Sequence, residues 1–371
     1  MLKILHTGDI HLDSPFARLD ADRARKRREE LRAAFSAMIA YARGSAVDLV
    51  LMAGDIFESE FVTRQTEEIL LRELSRLNCP VVIAPGNHDC ASPDSIWMRD
   101  IFPDNVYIFR TPEITKFSFD HLNADVYGYA FTSPEMTVSP LCGRRVQDPT
   151  RINLLCAHGD TSSPISRYAP LTRADLSGFG ADYAALGHIH NPGVIECRDR
   201  TVSAYCGCLE GRAPDETGPK GAVVAEISKQ GTTATVRAGR IRFSRRRYEN
   251  GTADCTGAVT LGDIETAIHH AITAGGYGED TLLRLTLSGS VAPTLIVDTD
   301  ALRERISGVF SLEITDSTLP ALRAEDFEND RTVRGEFYRS LLPMIENGTP
   351  RERRIAAAAL RRGLAAISGD N

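Results

Sequence analysis

The chain has 371 residues and a formal net charge of −7, with 42% hydrophobic and 25% charged residues. This length favours two or three domains, and the composition is typical of a globular protein and excludes a disordered chain. The sequence contains no apolar stretch as long as a membrane span, so we expect no contact with a membrane.

Cysteine spacing and the start of the chain indicate the compartment. The eight cysteines lie at irregular spacings, which is typical of reduced thiols in a cytoplasmic protein. The first motif begins at Gly8, which leaves no room for a removable signal peptide before it. We therefore expect a cytoplasmic protein. Basic residues cluster at 23–28, 240–247 and 351–362, and each cluster is either a solvated face or a contact for nucleic acid.

The first part of the chain alternates predicted strands and helices. Short runs rich in Val, Ile and Leu at 2–7, 48–53 and 80–84 predict buried strands. Apolar residues at three- and four-residue steps between these runs predict two helices, the second one beginning after a Thr63 cap. This alternation predicts a parallel sheet with right-handed crossovers, so the functional residues should lie beyond the carboxyl ends of its strands.

The middle of the chain is mostly β in character. Its predicted strands lie at 105–109, 124–131, 152–157, 182–186, 201–206, 221–227 and 233–238. Together with the first part they predict an α/β (α+β) fold with two packed β-sheets flanked by helices. Residues 240–256 have little periodicity and contain Asn250-Gly251, so we place a domain boundary there.

The remainder of the chain predicts a small α+β module followed by helix. Helical patterns lie at 264–272 and 302–306, and strand patterns at 281–287 and 309–314. Thr349-Pro350-Arg351-Glu352 is typical of a capping box with proline at the first helical position, and it predicts the start of a terminal helix.

Five short motifs each end a predicted strand with residue types that bind metals. They are Gly8-Asp9-Ile10-His11, Gly54-Asp55, Gly86-Asn87-His88-Asp89, Ala157-His158-Gly159 and Gly187-His188-Ile189-His190. The candidate ligands are Asp9, His11, Asp55, Asn87, His158, His188 and His190. These side chains are enough for two divalent ions. Nitrogen and oxygen ligands without thiolate favour manganese, iron or zinc over a pure magnesium site.

The spacing of the motif residues suggests roles within such a centre. Two neighbouring ions need a shared anionic ligand, and Asp55 is the natural bridge. Asp9 and His11 are two apart on what we take to be an extended strand end, so they should point the same way and hold one ion. His88 directly follows a proposed ligand, so we assign it to the scissile phosphate. The pattern predicts metal-assisted hydrolysis of a phosphate ester.

These motifs resemble the calcineurin-like metallophosphoesterase superfamily, whose signature is GD-x-H, GD, GNH-D/E, H and GH-x-H. All five blocks match, within residues 1 to about 240. Residues 8–13 and 53–57 further resemble the DNA double-strand-break repair exonucleases of the SbcD and YhaO type. The resemblance implies that Asp9, His11, Asp55 and His190 hold one metal, that Asp55, Asn87, His158 and His188 hold the other, and that His88 is the catalytic histidine.

The resemblance also implies a domain layout and partners. Such nucleases add a small α+β capping domain that contacts DNA, and then a helical segment that docks on an SMC-like coiled-coil ATPase. We therefore predict a metallophosphoesterase (nuclease) domain at 1–245, a capping domain at 255–320 and a helical, partner-docking segment at 321–371. DNA and the ATPase are the expected partners, and a homodimer is also considered.

Glu58 departs from the break-repair pattern. It lies three residues after the bridging Asp55, where the nucleases that this chain resembles have histidine. The phosphoprotein phosphatases of the superfamily have an aspartate there that orients the catalytic histidine. We therefore predict that Glu58 hydrogen-bonds His88 and raises its pKa, which favours a proton donor. The plainer interpretation is a solvated loop glutamate.

Three functions follow from these features. The leading hypothesis is a manganese-dependent DNA exo/endonuclease that works with the ATPase in DNA repair. The alternatives are a small-molecule or nucleotide phosphodiesterase and a non-catalytic metal-binding scaffold. The complete ligand set together with His88 argues against the scaffold, and the long C-terminal part favours polymeric DNA. A phosphoprotein phosphatase is disfavoured because Glu58 is not followed by Arg-Gly.

Overall fold

The computed structural model describes residues 1–59, 61–199, 201–293, 295–321 and 325–368. The chain divides into two compact units, Met1–Arg247 and Tyr248–Asn371. Residues 322–324 and 369–371 of the predicted docking segment lie outside the described part. No helix in the described ranges is long and apolar enough to cross a membrane.

The described residues of the first unit form twelve strands and three α-helices. The strands are β1 (Leu2–Thr7), β2 (Leu49–Met52), β3 (Val81–Ile83), β4 (Val106–Ile108), β5 (Thr115–Phe119), β6 (Ala124–Gly128), β7 (Ile152–His158), β8 (Tyr183–Gly187), β9 (Glu196–Arg198), β10 (Thr201–Tyr205), β11 (Gly221–Gln230) and β12 (Thr233–Arg242). The helices are α1 (Ala21–Gly44), α2 (Arg64–Leu74) and α3 (Arg173–Phe179).

The strands form two six-stranded sheets. The first has the order β12-β11-β1-β2-β3-β4, and the second has the order β5-β6-β7-β8-β10-β9. Strands β1 to β4 are parallel to one another, as are β6, β7 and β8. The predicted α/β architecture of two sheets flanked by helices is therefore confirmed. The sequence patterns missed β5, β9 and α3; of these, β5 is a mostly exposed edge strand without an apolar run.

Helix α1 and its neighbours show why these segments fold locally. Asp20 caps α1 by accepting a hydrogen bond from the Arg23 amide at 2.9 Å, and Thr63 caps α2 as predicted. The apolar face of α1 is buried, with Leu31, Phe35 and their neighbours in the largest apolar cluster. That cluster includes residues from both sheets, so the sheets share one core.

A buried histidine also joins the two sheets. His6 of β1 is fully buried, with its Nε2 3.2 Å from the Leu186 carbonyl and its Nδ1 3.0 Å from the Tyr183 hydroxyl, both in β8. Burial lowers the pKa of His6 to about 3, so the ring stays neutral and uses one nitrogen as donor and the other as acceptor. The contact aligns the carboxyl ends of β1 and β8, which carry two of the motifs.

The second unit has a three-stranded sheet and five helices among its described residues. Its elements are β13 (Arg247–Asp254), α4 (Leu261–Ala274), β14 (Thr281–Ser288), β15 (Ser290–Val291), α5 (Thr299–Arg305), β16 (Ser311–Asp316), β17 (Leu319–Pro320), α6 (Glu325–Glu328), α7 (Val333–Asn347) and α8 (Pro350–Ser368). The sheet order is β13-β14-β16, and β15 pairs with β17. The sequence suggested little regular structure at 240–256. Instead β12 runs to Arg242 and β13 begins at Arg247, because partner strands β11 and β14 supply the pairing.

The last helix is held at both its start and its middle. The predicted capping box is confirmed: the Thr349 amide donates to the Glu352 carboxylate at 2.7 Å, and the Glu352 amide donates to Thr349 Oγ1 at 3.3 Å. Further along, the Arg361 guanidinium donates to the Asp316 carboxylate at 3.0 Å and to the Thr318 carbonyl at 2.8 Å. These bonds fix α8 against the sheet of its own unit.

Candidate metal centre

The candidate ligands lie at the carboxyl ends of five strands. They follow β1, β2 and β3 of the first sheet and β7 and β8 of the second. The first group consists of Asp9, His11, Asp55 and His190, each of which offers one ligand atom within 4.8 Å of the other three. Within it, His11 Nε2 is 3.2 Å from His190 Nε2 and 3.6 Å from Asp55 Oδ2. The structure therefore brings together the four residues assigned to one ion.

The second group is centred on His158. Its Nε2 is 2.9 Å from Asn87 Oδ1 and 3.5 Å from Asp55 Oδ2, and its ring centroid is 5.2 Å from that of His188. Asp55 Oδ2 thus faces one histidine from each group, His11 and His158. This is the geometry that a ligand shared by two ions requires.

The donor chemistry of these groups fits divalent metal ions. His158 Nδ1 is 3.0 Å from the Ala53 carbonyl, which can only accept, so Nδ1 carries the proton and Nε2 keeps its lone pair. His190 Nδ1 is likewise 2.6 Å from the Glu216 carboxylate, and against the opposing effect of burial this bond raises the pKa of His190. A metal ion bound at His190 Nε2 would therefore replace the proton there. The Nε2 lone pairs then face carboxylate, amide and imidazole acceptors. Acceptors that converge in this way repel one another unless a cation lies between them. A hydrogen bond from Nδ1 to a carbonyl or carboxylate, with Nε2 left for the metal, is typical of metal-binding histidines.

The pKa values of buried groups support the same conclusion. Burial lowers the pKa of His11 well below its usual range and that of His188 to about 4, so both rings are neutral, the form that binds metals. Burial raises the pKa of Asp9 to about 6. A charged Asp9 is therefore unfavourable in this interior unless a cation is close to it.

The backbone of the centre is strained at several ligands, and it is not extended at Asp9 and His11 as the sequence suggested. The sequence suggested that Asp9 and His11 share an extended strand end, but β1 ends at Thr7 and both residues have positive φ, 47° and 51°. Asp55 and His188 also have positive φ, 52° and 108°. Such conformations cost non-glycine residues on the order of 1 kcal/mol each and cluster at functional sites. Hydrogen bonds from the Asp9 amide to Gly54 and from the His11 amide to Asp55 hold the loop.

Gly86 shows why one motif needs glycine. A Cβ atom at this position would lie 2.2 Å from Asp55 Oδ1, so any side chain would displace the shared carboxylate. The same oxygen accepts a hydrogen bond from the His88 amide at 2.9 Å. The motif at 86–89 therefore orients Asp55 in addition to supplying Asn87.

His88 borders the centre at the protein surface. Its side chain is exposed, and its ring centroid is 4.8 Å from that of His11. His88 Nδ1 is 3.0 Å from the main-chain carbonyl of Glu58, so Nδ1 donates and Nε2 is the nitrogen left for a substrate. His88 can thus reach a phosphate at the centre without being needed as a ligand.

The Glu58 side chain does not have the predicted partner. Its carboxylate forms an ion pair with the Arg212 guanidinium and is 3.3 Å from His11 Nδ1. The predicted carboxylate bond to His88 is therefore wrong: the main-chain carbonyl of Glu58 makes that contact, and the carboxylate turns toward Arg212. Glu58 is also not fully solvated, since only 27% of its side chain is exposed.

Three residues of the centre were missed by sequence reasoning. Asp89, which is buried, accepts hydrogen bonds from four main-chain amides, those of Asp55, Ile56, Phe57 and Gly86. Glu216 orients His190, and Arg212 pairs with Glu58. Asp89 stands inside a motif and could have been recognised there. Arg212 and Glu216 follow the last motif by more than 20 residues, and no local pattern marks them.

A buried ion network holds the segment that carries Arg212. Arg27 of α1 is fully buried and donates to the Glu210 carboxylate at 2.8 Å, the Glu30 carboxylate at 2.9 Å and the Gly211 carbonyl at 3.0 Å. Glu30 also pairs with Arg246. The basic clusters at 23–28 and 240–247 are thus not purely solvated faces, because each contributes an arginine to this network.

Comparisons with known proteins agree with this geometry. The sequence pattern of calcineurin-like phosphoesterases matches residues 2–192. The chain is 28% identical over 352 residues to the uncharacterized metallophosphoesterase YhaO of Bacillus subtilis, covering 90% of this chain and 80% of YhaO. It is 26% identical over 232 residues to the DNA double-strand break repair protein Mre11 of Aeropyrum pernix, covering 57% of this chain and 54% of Mre11. It is 25% identical over 276 residues to a subunit of the nuclease SbcCD of Bacillus subtilis, covering 63% of this chain and 68% of that protein. The chain therefore spans about half the length of that Mre11.

Proposed function

Since this chain belongs to the calcineurin-like phosphoesterase family, we propose that it is a two-metal phosphodiesterase that cleaves DNA in repair, with manganese as the metal. The position of Asp55 is the observation that carries this proposal. Its Oδ2 atom lies 3.6 Å from His11 Nε2 and 3.5 Å from His158 Nε2, between the two groups of ligands. One carboxylate can therefore serve two ions at once.

The proposed mechanism assigns a task to each of the main residues. Two divalent ions in this centre would neutralise charge on the phosphate and lower the pKa of a bound water molecule. Asp9, His11 and His190 would hold one side of the centre, and Asn87, His158 and His188 would hold the other. His88 acts on the leaving oxygen through Nε2, because the Glu58 carbonyl holds Nδ1 at 3.0 Å and fixes the ring orientation.

DNA is the preferred substrate for two reasons. Mre11 is named as a DNA double-strand break repair protein, and SbcCD is named as a nuclease. The chain also has a second compact unit, Tyr248–Asn371, after the unit that carries the candidate metal centre. Within it we propose that residues 255–320 contact DNA and that the helices of 321–371 dock on an SMC-like coiled-coil ATPase. A nucleotide or small-molecule phosphodiesterase is the alternative, favoured by Glu58 in the place of the break-repair histidine.

A substrate comparison separates these functions. Purified protein, stripped of metal and then loaded with manganese, is tested on bis(p-nitrophenyl) phosphate and on linear single- and double-stranded DNA. We expect cleavage of both kinds of substrate, dependent on manganese and lost in Asp55→Asn but not in the matched control Asp100→Asn, whose side chain is exposed. Cleavage of the small diester alone would favour the alternative function. Cleavage of neither by a protein that binds manganese would leave only a metal-binding scaffold.

The salt dependence of DNA binding tests the polymer substrate independently. If several Lys and Arg side chains neutralise backbone phosphates, the logarithm of the binding constant should fall linearly and steeply with the logarithm of salt concentration. Fluorescence anisotropy of a labelled duplex measures this slope for the intact chain. A slope close to zero would contradict DNA as the substrate.

A further inference from the structure

Arg212 places a positive charge beside the metal centre, although it lies outside the five motifs. Its Nη2 is 3.2 Å from His190 Nδ1 and 3.4 Å from His190 Nε2, and its Nη1 pairs with the Glu58 carboxylate. Only 13% of the side chain is exposed. A guanidinium is therefore held within hydrogen-bonding distance of an atom that we assign as a metal ligand.

The main chain around Arg212 is fixed on both sides. The Arg212 amide donates to the Glu216 carboxylate at 2.6 Å, and the preceding Gly211 carbonyl accepts from the buried Arg27 at 3.0 Å. The Cys208 amide donates to the His190 carbonyl at 2.9 Å, so this segment and the His190 loop are joined directly. Arg212 is thus preorganised rather than free to swing in from solvent.

The electrostatics of this position call for an anion. Divalent ions held by the neighbouring ligands would repel the Arg212 guanidinium, and the carboxylates of Glu58 and Glu216 would oppose that repulsion. A metal held by His190 Nε2 would also take the lone pair that Arg212 Nη2 faces. A phosphate oxygen would give Nη2 a charged acceptor in its place, and the planar guanidinium can do this while Nη1 stays paired with Glu58.

Glu58 links this guanidinium to His88. The Glu58 carboxylate holds Arg212, while its main-chain carbonyl holds His88. His11, in turn, has its Nδ1 3.3 Å from the Glu58 carboxylate and its ring 4.8 Å from that of His88. Arg212 and His88 therefore border the same part of the centre, and one phosphate there could meet both side chains.

We propose that Arg212 is a catalytic residue that binds a non-bridging oxygen of the substrate phosphate, and that Glu58 is the positioning residue that aims it. This inference rests on the proposed function, because it deepens the role of the same centre. It also explains why this chain has Glu58: a carboxylate can hold a guanidinium in place, whereas a histidine at that position would offer it no anionic partner.

Binding of inorganic phosphate to the manganese-loaded protein tests the inference without hydrolysis. Isothermal titration calorimetry measures the phosphate Kd of the wild type and of Arg212→Gln, Arg212→Lys and Glu58→Gln, while mass spectrometry of the metal measures manganese content. Arg43→Gln, which changes an exposed arginine at the end of α1, is the control for loss of one positive charge.

The expected results separate a phosphate contact from a structural role. Arg212→Gln should weaken phosphate binding about 10- to 100-fold, the usual value of a hydrogen bond to a charged group, with manganese content unchanged. The phosphate affinity of Arg212→Lys should lie between those of Arg212→Gln and the wild type, because lysine keeps the charge but loses the planar guanidinium. Glu58→Gln should weaken phosphate binding less than Arg212→Gln does, and Arg43→Gln should match the wild type.

Three outcomes would overturn the inference. They are wild-type phosphate affinity in Arg212→Gln, loss of manganese in both Arg212 variants, and a wild-type protein that does not bind phosphate. The phosphate-binding experiment can fail or succeed independently of the cleavage assay described above. A protein that binds phosphate through Arg212 but cleaves neither the diester nor DNA would overturn the proposed function and leave the phosphate contact standing.

Discussion

Replacing Asp89 by asparagine tests how the shared ligand Asp55 is held. The Asp89 carboxylate is 1% exposed. One oxygen accepts from the amides of Gly86 at 2.8 Å and Asp55 at 3.2 Å, and the other accepts from Ile56 at 2.8 Å and Phe57 at 3.2 Å. Asparagine has the same shape but only one oxygen, so whichever way its amide turns, an NH₂ group faces two amide donors.

The expected cost follows from those two unpaired donors. A buried donor left without an acceptor costs about 1–3 kcal/mol. Burial raises the pKa of Asp89 to about 7, so removal of its charge offsets part of this cost, and Asp89→Asn should lower the free energy of unfolding by about 1–3 kcal/mol. The total for a typical domain is about 5–15 kcal/mol. The affinity for manganese should fall as well, because in either orientation of the amide the loop that carries Asp55 loses at least one hydrogen bond.

Fluorescence of Trp97 makes this measurement specific for the first unit. It is the only tryptophan of the chain, it is fully buried, and its Nε1 donates to the Asp89 carbonyl at 2.5 Å. Urea unfolding of metal-free protein would be compared between the wild type, Asp89→Asn and Asp100→Asn, an exposed control expected to change by less than about 0.5 kcal/mol. A loss below about 1 kcal/mol for Asp89→Asn would show that the four amide contacts do not hold the loop.

Three further substitutions test other parts of the argument. His88→Ala should keep its manganese but lower the turnover of bis(p-nitrophenyl) phosphate by about 100- to 10,000-fold; a parallel loss of metal would make His88 a ligand. Arg27→Met leaves Glu210 buried without its guanidinium and should cost about 3–5 kcal/mol in the same urea experiment, whereas Arg25→Met, with a 68% exposed side chain, should change little. Arg361→Met should increase hydrogen exchange within residues 248–368 without changing manganese affinity, and unchanged exchange would contradict its role in fixing α8.

Much of the fold and most of the candidate ligands could be predicted because the relevant signals are local. A buried strand such as Leu49–Met52 is a continuous apolar run, and the motif that follows it begins within two residues of its end. The periodic apolar positions of α1, including Leu31 and Phe35, are buried as expected. Burial of such strands and the grouping of the candidate ligands depend on residue types at short spacing, and the sequence shows these directly.

The features that could not be predicted depend on conformation or on distant contacts. Asp9 and His11 do lie in one ligand group, but their positive φ means that the alternation rule for an extended strand does not explain why, and their residue types do not indicate this conformation. The direction of the Glu58 carboxylate depends on Arg212, which is 154 residues away. The edge strand β5 and the short helix α3 depend on the elements that they pack against.

The buried arginines show that clusters of basic residues in a sequence do not indicate how many of those charges are exposed. Arg27, Arg246 and Arg361 come from three sequence clusters that look alike, and each is at most 6% exposed with carboxylate partners. A basic cluster in the sequence therefore overstates the charge available for DNA, because part of it is neutralised inside the protein. Truly exposed members such as Arg25 are the better candidates for phosphate contacts.

The candidate ligands and the residues that orient them come from different parts of the sequence. The candidate ligands come from motifs at strand ends, whereas the groups that orient them come from elsewhere: Glu216 fixes His190, Ala53 fixes His158, and Asp89 fixes the Asp55 loop. Only the last of these lies within a motif. It follows that a chain could keep all five motifs and still lose a well-formed centre if the segment at 208–216 changed. Glu216→Gln tests this directly: it should leave Asp9, His11 and Asp55 in place but weaken manganese binding about 10- to 100-fold, and an unchanged manganese Kd would show that the ligands at strand ends suffice.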